Sequence, residues 1–295
     1  MSGSYYDRPV IKEPTWQARD IAGYLFLGGL AGASSALGAG AELTGRRRLA
    51  RSTKLGALGA VSLSLAALVH DLGRPGRFLN MLRVAKPTSP MSVGSWLLAG
   101  YGPLAGAAAA SDVFGLTPRA GRAAAVGAGL LGPAVASYTS VLIADTAVPA
   151  WHESRHQLPF VFVGSGAAAA GGLAMLVTPP AETGPARRIA VAGAALDLAA
   201  SQRMEAHAGL AGETFREGKA GAMLRAAKAL TAIGGLGAAA GGRNRVTAGL
   251  SGLALLAGSA CTRFGIFEAG RASARDPKYT VVPQRERLER GVRAG

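Results

Sequence analysis

Long stretches without a charged residue alternate with short polar connections along most of this chain. The longest uncharged stretches have 21 residues or more and cover 21–41, 91–111, 123–144 and 157–181. About 20 apolar residues are enough for a helix to cross the hydrocarbon core of a bilayer. Shorter or weaker apolar stretches follow at 55–69, 189–202, 229–242 and 246–262. The pattern predicts a membrane protein built from helices.

Together these stretches predict an all-α integral membrane protein, a bundle of about eight transmembrane helices in two four-helix halves. The alternative for the stretches near 189–202 and 229–242 is a buried or interfacial helix. An even number of spans places the N- and C-termini on the same side of the membrane, called side A here; the other side is side B. The predicted spans are 20–42, 54–70, 90–111, 122–146, 157–179, 187–205, 225–242 and 245–269.

The spans divide the chain into three parts. Residues 1–19 form an N-terminal extramembrane segment, residues 20–269 form the transmembrane domain, and residues 270–295 form a basic C-terminal tail. The tail is expected to be a solvated extension on side A, either disordered or docked against a partner.

Composition supports the membrane prediction. Only 17% of the residues are charged, against the ~25% of ordinary soluble domains. Glycine accounts for 43 of the 295 residues, and small residues allow helices to pack closely in lipid. The single cysteine, Cys261, excludes an internal disulfide, a Cys-rich zinc site and an iron–sulfur cluster held by this chain alone.

The net charge of +15 is explained by the orientation of the protein in the membrane rather than by nucleic-acid binding. The basic residues lie in short connections between the apolar stretches, and side A carries the larger share of them. Because cytoplasmic loops are enriched in Lys and Arg, we expect the termini to be cytoplasmic.

Most ionisable and aromatic polar residues near the predicted membrane lie towards side A. They include Tyr24 in the first span, His70 and Asp71 at the end of the second, and Tyr138 and Asp145 towards the end of the fourth. Ionisable groups at membrane depth are costly and usually mark a pathway or a ligand site. The alternative is that each is a residue at a helix end that reaches water.

Asp197 and Arg263 interrupt otherwise apolar spans. They are expected either to pair with each other as a structural contact between helices or to form part of a proton route. A haem held by two histidines needs imidazoles that face each other across a bundle. Only His70 lies at a suitable depth, so we expect no haem, and no metal, bound by this chain.

Three stretches resemble the NrfD/polysulfide-reductase membrane subunits, in the order of that family. They are WQARDIAGYLFLGGLAGASSALGAGAEL (16–43), HDLGRPGRFLNMLRVAKPTSPMSVGSW (70–96) and ASYTSVLIADTAVPAWHES (136–154). The resemblance covers about the first half of the chain. It implies a haem-free subunit of the bacterial plasma membrane that partners an iron–sulfur ferredoxin-like subunit and a molybdopterin catalytic subunit, as in polysulfide reductases and formate dehydrogenases.

The resemblance also implies a quinone as cofactor, menaquinone or ubiquinone, bound near the face that meets the iron–sulfur subunit. Tyr138 matches the quinone-pocket tyrosine of the family, with Tyr24, Asp20 and His70 as further quinone-binding candidates. Asp71, tuned by the nearby Arg74, would accept or relay a proton, and Asp145 is a second relay candidate. Asp197 and Arg263 complete the set of proton-relay candidates.

Two other functions remain open from the sequence. Eight glycine-rich spans with buried charges also suit a secondary transporter or a proton-conducting membrane protein. A purely structural anchor, embedded in the lipid bilayer without a role in quinone chemistry, is the third possibility.

Overall fold

The structure, a computed structural model, describes residues 10–74, 76–241 and 244–293. All regular structure in these residues is helical, and no strand is present among them, which confirms the predicted all-α class. The helices are α1 (Ala18–Leu43), α2 (Arg47–Asp71), α3 (Gly76–Met81), α4 (Pro90–Phe114), α5 (Pro118–Ala144), α6 (Pro149–Glu153), α7 (Leu158–Val177), α8 (Gly184–His207), α9 (Gly218–Ala240), α10 (Arg245–Arg275) and α11 (Lys278–Arg293).

Small parts of the predicted segments lie outside the described residues. They are residues 1–9 of the N-terminal segment, Pro75 in the second connection, Gly242 at the end of the seventh predicted span, Arg243, and residues 294–295 of the tail.

The long helices coincide with the predicted spans. Within the described residues, eight helices have between 20 and 31 residues, and each overlaps one predicted span. By length and composition, five of them are apolar enough to cross a membrane: α1, α2, α5, α7 and α10. Several such helices are typical of a multi-pass membrane protein. The exact number of eight spans, and the boundaries of the transmembrane domain, stay predictions.

The segment predicted as a tail is largely helical. Helix α10 continues to Arg275, and α11 begins after a short break at Lys278. Lys278 Nζ donates to Glu213 Oε2 over 2.7 Å, which ties the start of α11 to the 3-10 helix Gly209–Phe215. The start of the tail therefore docks on the protein's own connection between α8 and α9.

The long helices form two neighbouring groups of four. In the first group α1 packs against α2 and α5, and α4 packs against α5; in the second, α7 packs against α8 and α10, and α9 against α10. Contacts of α1 with α7 and α10 join the groups. The first half and the second half of the chain therefore each build one side of the bundle.

Contacts near the helix ends fit helices that alternate in direction. At the end where α1 begins, which is side A of the predicted topology, Lys219 Nζ lies 3.2 Å from Glu268 Oε1, joining the start of α9 to the later part of α10. At the opposite end, Glu182 Oε2 accepts from the backbone N–H groups of Arg48 and Leu49 at 3.1 and 3.2 Å. These two N–H groups belong to the first turn of α2, whose donors lack partners within the helix.

Local sequence signals set several helix ends. Proline is the first residue of α4 and α5, where its missing N–H costs no helical hydrogen bond. Gly115 follows α4 with a φ of +67°, a left-handed conformation that glycine adopts without strain. The Asn244 side chain accepts from the Val246 N–H at 2.9 Å and caps the start of α10.

Glycines allow helices to approach closely, both between the two groups and within the second group. A Cβ atom at Gly166 in α7 would lie 3.0 Å from the backbone oxygen of Gly29 in α1. A Cβ atom at Gly172 would lie 2.8 Å from the backbone oxygen of Gly252 in α10. Because larger residues at these positions would force the helices apart, the glycines are part of the packing between helices.

The segment before α1 is held to the end of α10 by Glu13, which lies 2.7 Å from Arg275 Nη2 and 2.8 Å from Arg271 Nε. The hydrogen bond from Arg275, together with Arg271, lowers the pKa of Glu13 below its usual value. A lowered carboxylate pKa contributes stability above the unfolded-state pKa, and this contribution is lost as the pH falls through the folded-state pKa.

We therefore expect acidification below about pH 4.3, the ordinary pKa of Glu, to release this segment. Trp16 stacks on the buried Trp151 with ring centroids 6.2 Å apart, so tryptophan fluorescence reports the release. Glu13→Gln should shift the fluorescence at neutral pH and remove its acid transition, at a cost of at most about 1 kcal/mol for such a partly exposed pair. Lys12→Gln is the matched control, and an acid transition that survives in Glu13→Gln would contradict the assignment.

Candidate functional site

Two tyrosines from different helices meet inside the first group of helices. The hydroxyl oxygens of Tyr24 in α1 and Tyr138 in α5 lie 2.5 Å apart and share a hydrogen bond. Tyr24 is fully buried, whereas Tyr138 is only partly buried. The Tyr138 ring packs directly against Gly94 of α4, a position where any side chain would overlap the ring. The sequence therefore places a glycine where Tyr138 needs space.

A carboxylate and an imidazole lie about one turn closer to side A. The Asp20 Oδ2 atom is 2.9 Å from His70 Nδ1, joining the start of α1 to the end of α2. Asp20 is buried, and the His70 side chain is 73% exposed. Because Asp20 and Tyr24 are four residues apart in α1, they lie on the same face of that helix.

The structure therefore brings together all four quinone-binding candidates at the side A end of the first group. From the surface inwards, the order is His70, Asp20, and then the hydroxyl pair of Tyr24 and Tyr138. Asp20 and Tyr24 are four residues apart, which is about 6 Å along the helix axis. Within the described residues their side chains bond to His70 and Tyr138 and not to each other.

Asp71 lies beside this series rather than within it. Its carboxylate receives a backbone hydrogen bond from Gln17, and the negative charge of Asp20 is close enough to act on it. The end of α2 and the start of α1 therefore place two carboxylates, Asp71 and Asp20, close together.

Arg74 and Asp145 are not brought to the tyrosine pair. Arg74 is exposed in the turn after α2, and Asp145 is exposed directly after α5. Neither side chain makes an ion pair or a hydrogen bond with the part of the chain that the structure describes. Their proposed roles as relays gain no support from their positions.

Arg263 lies at the junction of the two groups of helices. Its side chain is fully buried, and its Nη2 donates to the Phe162 backbone oxygen at 2.7 Å. Its Nε donates to the backbone oxygen of Leu25, the residue that follows Tyr24, at 3.4 Å. The guanidinium also lies 3.8 Å from the centroid of the Phe162 ring. Arg263 therefore connects α10 to both α7 and α1.

Asp197 is the buried carboxylate whose charge acts on Arg263, but the two do not form a direct ion pair among the described residues. Ser201 Oγ donates to Asp197 Oδ1 at 3.4 Å. Arg263 Nη1 has no hydrogen-bond partner within the described residues. Both charges are thus deep in the protein, close enough to interact electrostatically but not in contact.

A buried charge cluster on side B was not predicted as a unit. Lys54 is buried, and its Nζ lies 2.6 Å from Glu42 Oε2 and 3.0 Å from Asp112 Oδ2. A related contact joins Ser35 and Tyr101, whose hydroxyl oxygens are 2.8 Å apart in the interior. The signal that could have revealed the cluster is the opposite charges at three neighbouring helix ends on side B.

Metal binding finds no support in the side-chain arrangement. Across residues 10–74, 76–241 and 244–293, no three of the histidine, cysteine, aspartate and glutamate side chains are placed to hold a metal ion together. His152, His156 and His207 are all exposed near side A.

The fold and the site define a helical membrane protein with a polar site at one end of its N-terminal half. The family model described as "Polysulphide reductase, NrfD" matches residues 13–181. This match covers more than half of the chain and includes His70, Asp20, Tyr24 and Tyr138, so the chain belongs to the NrfD family. The resemblance seen in the sequence is thereby confirmed, and with it a multi-pass membrane protein of the kind found in polysulfide-reductase-like complexes. No curated protein matches the chain.

Proposed function

We propose that this chain is the haem-free, quinone-reactive membrane subunit of a multisubunit oxidoreductase. In this function it anchors an iron–sulfur subunit and a molybdopterin catalytic subunit and passes electrons between the iron–sulfur chain and membrane quinone. The observation that carries the proposal is the series of His70, Asp20, Tyr24 and Tyr138, which leads from the side A surface to a hydroxyl pair within the family-matched region.

The residues at this site fit the head group of a quinone. A quinone carbonyl needs a hydrogen-bond donor, and a phenol supplies one without carrying a charge at neutral pH. Tyr138 is the partly exposed member of the pair, so its hydroxyl can turn from Tyr24 towards a carbonyl oxygen. A bound quinone would supply the two-electron, two-proton redox chemistry of the site.

The protein's own residues then have separate tasks. Tyr138 orients and polarises the carbonyl, and the buried Tyr24 fixes the position of the Tyr138 hydroxyl. Asp20 takes up protons through the exposed His70 and passes them inwards across the one-turn gap through water. Asp71, whose carboxylate lies close to Asp20, places a second carboxylate at the start of this route.

Partner subunits are proposed to meet side A. The site lies at that end, and electrons must reach it from the last iron–sulfur cluster over a short distance. The larger share of Lys and Arg on side A supports a cytoplasmic position for the termini and for the partners. A location in the bacterial plasma membrane is part of the same proposal.

Asp20→Asn tests the proton route. Asparagine keeps the size of the side chain but cannot carry a proton, so we expect quinone turnover by the assembled complex to fall by about tenfold, with KM for a water-soluble quinone little changed. Glu153→Gln, at an exposed carboxylate on the same side, is the matched control. Unchanged turnover in Asp20→Asn would favour a purely structural anchor.

A second candidate function is proton conduction or secondary transport by the chain alone. The observation that favours it is that Asp197 and Arg263 are both buried and form no direct ion pair with each other within the described residues, because intramembrane charges often mark ion pathways. Proteoliposomes that contain only this chain and a pH-sensitive dye distinguish the two functions. Proton flux without a partner subunit, abolished by Asp197→Asn, would favour the second.

A further inference from the structure

A groove lies between the start of α7 and the end of α8, in the second group of helices. It has a volume of about 770 Å³, and its walls include Phe160 from α7 and Leu196 and Ala199 from α8. Phe160 is 59% exposed and Leu196 is 38% exposed, which is unusual for apolar residues that line a concave surface. In a membrane-spanning bundle, such a groove faces lipid.

The polar lining of the groove is confined to its side A end. His156 and Gln157 precede α7, and Arg203 and His207 lie in the last two turns of α8. Along α8, Leu196, Ala199, Arg203 and His207 are spaced by three or four residues and therefore share one face. Seven residues separate Leu196 from Arg203, which is about 10 Å along a helix. The groove thus changes from basic to apolar with increasing depth.

The groove is lined by basic side chains and by no acidic ones among the described residues. Arg203 is exposed, and its guanidinium makes no ion pair or hydrogen bond within the described part of the chain. His207 Nδ1 lies 2.9 Å from the Arg203 backbone oxygen and donates to it, which holds the imidazole beside the arginine. An anionic group at this position would meet a cation with no competing protein partner.

Gln157 adds a second, independent indication of a ligand. Its Oε1 atom is buried and has no hydrogen-bond partner in the described structure. Buried carbonyl oxygens without a partner are uncommon in folded proteins and call for an explanation. A ligand hydroxyl in this part of the groove would supply the missing donor.

We propose that the groove between α7 and α8 binds an anionic phospholipid with head-group hydroxyls, such as a phosphatidylglycerol. Its phosphate lies against Arg203 and the neighbouring histidines, a head-group hydroxyl donates to Gln157, and one acyl chain follows Phe160 and Leu196 into the membrane. Basic pockets between membrane helices are known to suit such head groups. This site is separate from the tyrosine pair, which lies on α1 and α5.

Native mass spectrometry of the full chain in detergent tests the proposal, with dioleoyl phosphatidylglycerol and dioleoyl phosphatidylcholine as probes. Phosphatidylglycerol should bind more tightly, and Arg203→Gln should weaken it by about fivefold, since one cation near a membrane surface contributes about 1 kcal/mol. Arg188→Gln, an exposed arginine at the opposite end of α8, is the control and should leave the affinity unchanged.

A second variant fills the groove instead of removing its charge. Ala199→Phe should abolish the preference for phosphatidylglycerol, and Ala123→Phe, at an exposed alanine on α5, should not. Glycerol 3-phosphate added in excess should not displace the lipid, because the acyl chain contributes part of the binding. Equal binding of both lipids, an unchanged affinity in Arg203→Gln, or displacement by glycerol 3-phosphate would overturn the proposal.

Discussion

Replacing Tyr138 by phenylalanine is expected to lower quinone turnover by the assembled complex by about 100-fold, at the lower end of the effect of a positioned proton donor. The substitution removes one hydroxyl and keeps the ring against Gly94, so the packing of α5 on α4 is preserved. The chain should still purify with its partner subunits, because the loss of one hydroxyl from the partly buried Tyr138 leaves the shape of the protein surface unchanged. Steady-state turnover with a menaquinone analogue, measured beside the iron–sulfur content of the complex, separates loss of chemistry from loss of assembly.

Tyr101→Phe is the matched control for this experiment. Tyr101 is as deeply buried as Tyr24, and it also shares a hydrogen bond with a hydroxyl group, that of Ser35, at 2.8 Å. It lies deeper in the bundle, away from the His70–Asp20 pair, so its variant should keep full turnover. If Tyr101→Phe and Tyr138→Phe lost activity equally, general destabilisation would explain both, and the quinone assignment of Tyr138 would fall.

The sequence predicts the helices of this protein well because the signal is strong and local. An uncharged stretch such as 157–181 has few alternatives to a long apolar helix, and the structure contains α7 there. The structure of the tail was harder to predict, because a charged segment without apolar periodicity has the sequence features of a disordered segment. Its helix is fixed by a contact of Lys278 with Glu213, a residue 65 positions earlier in the chain, which no local pattern reveals.

The site could be predicted in part, because the apolar spans indicate how deep each polar residue lies. Position along each span indicated that Tyr24, Tyr138 and His70 share one end, because alternating helix direction fixes depth. It did not indicate which residues touch, since that depends on the rotation of each helix about its axis. Arg74 and Asp145 show this difference, because both lie at the correct end yet are exposed and away from the tyrosine pair. The side B cluster around Lys54 was missed because its three members come from three separate helices.

Replacing Arg263 by leucine is expected to destabilise the protein by about 3–5 kcal/mol, the usual cost of leaving one member of a buried charge pair without the other. The change removes the hydrogen bonds to Phe162 and Leu25 and leaves Asp197 without its nearby positive charge. Thermal unfolding in detergent should show a markedly lower midpoint. Arg245→Leu in the same helix, where a single hydrogen bond to Thr178 is lost, should cost only about 1 kcal/mol.

The double variant Arg263→Leu with Asp197→Asn shows whether the two charges act together. If Arg263→Leu destabilises the protein mainly because the Asp197 charge is left without Arg263, neutralising Asp197 should recover more than about 1 kcal/mol of the lost stability. Additive losses would show that Arg263 acts through its backbone contacts alone.

Asp197→Asn alone also separates a structural role from a proton route, because it removes the titratable group while Arg263 keeps its bonds to α1 and α7. A loss of proton uptake in Asp197→Asn without a loss of stability would instead assign this pair to proton movement, independently of Tyr24 and Tyr138.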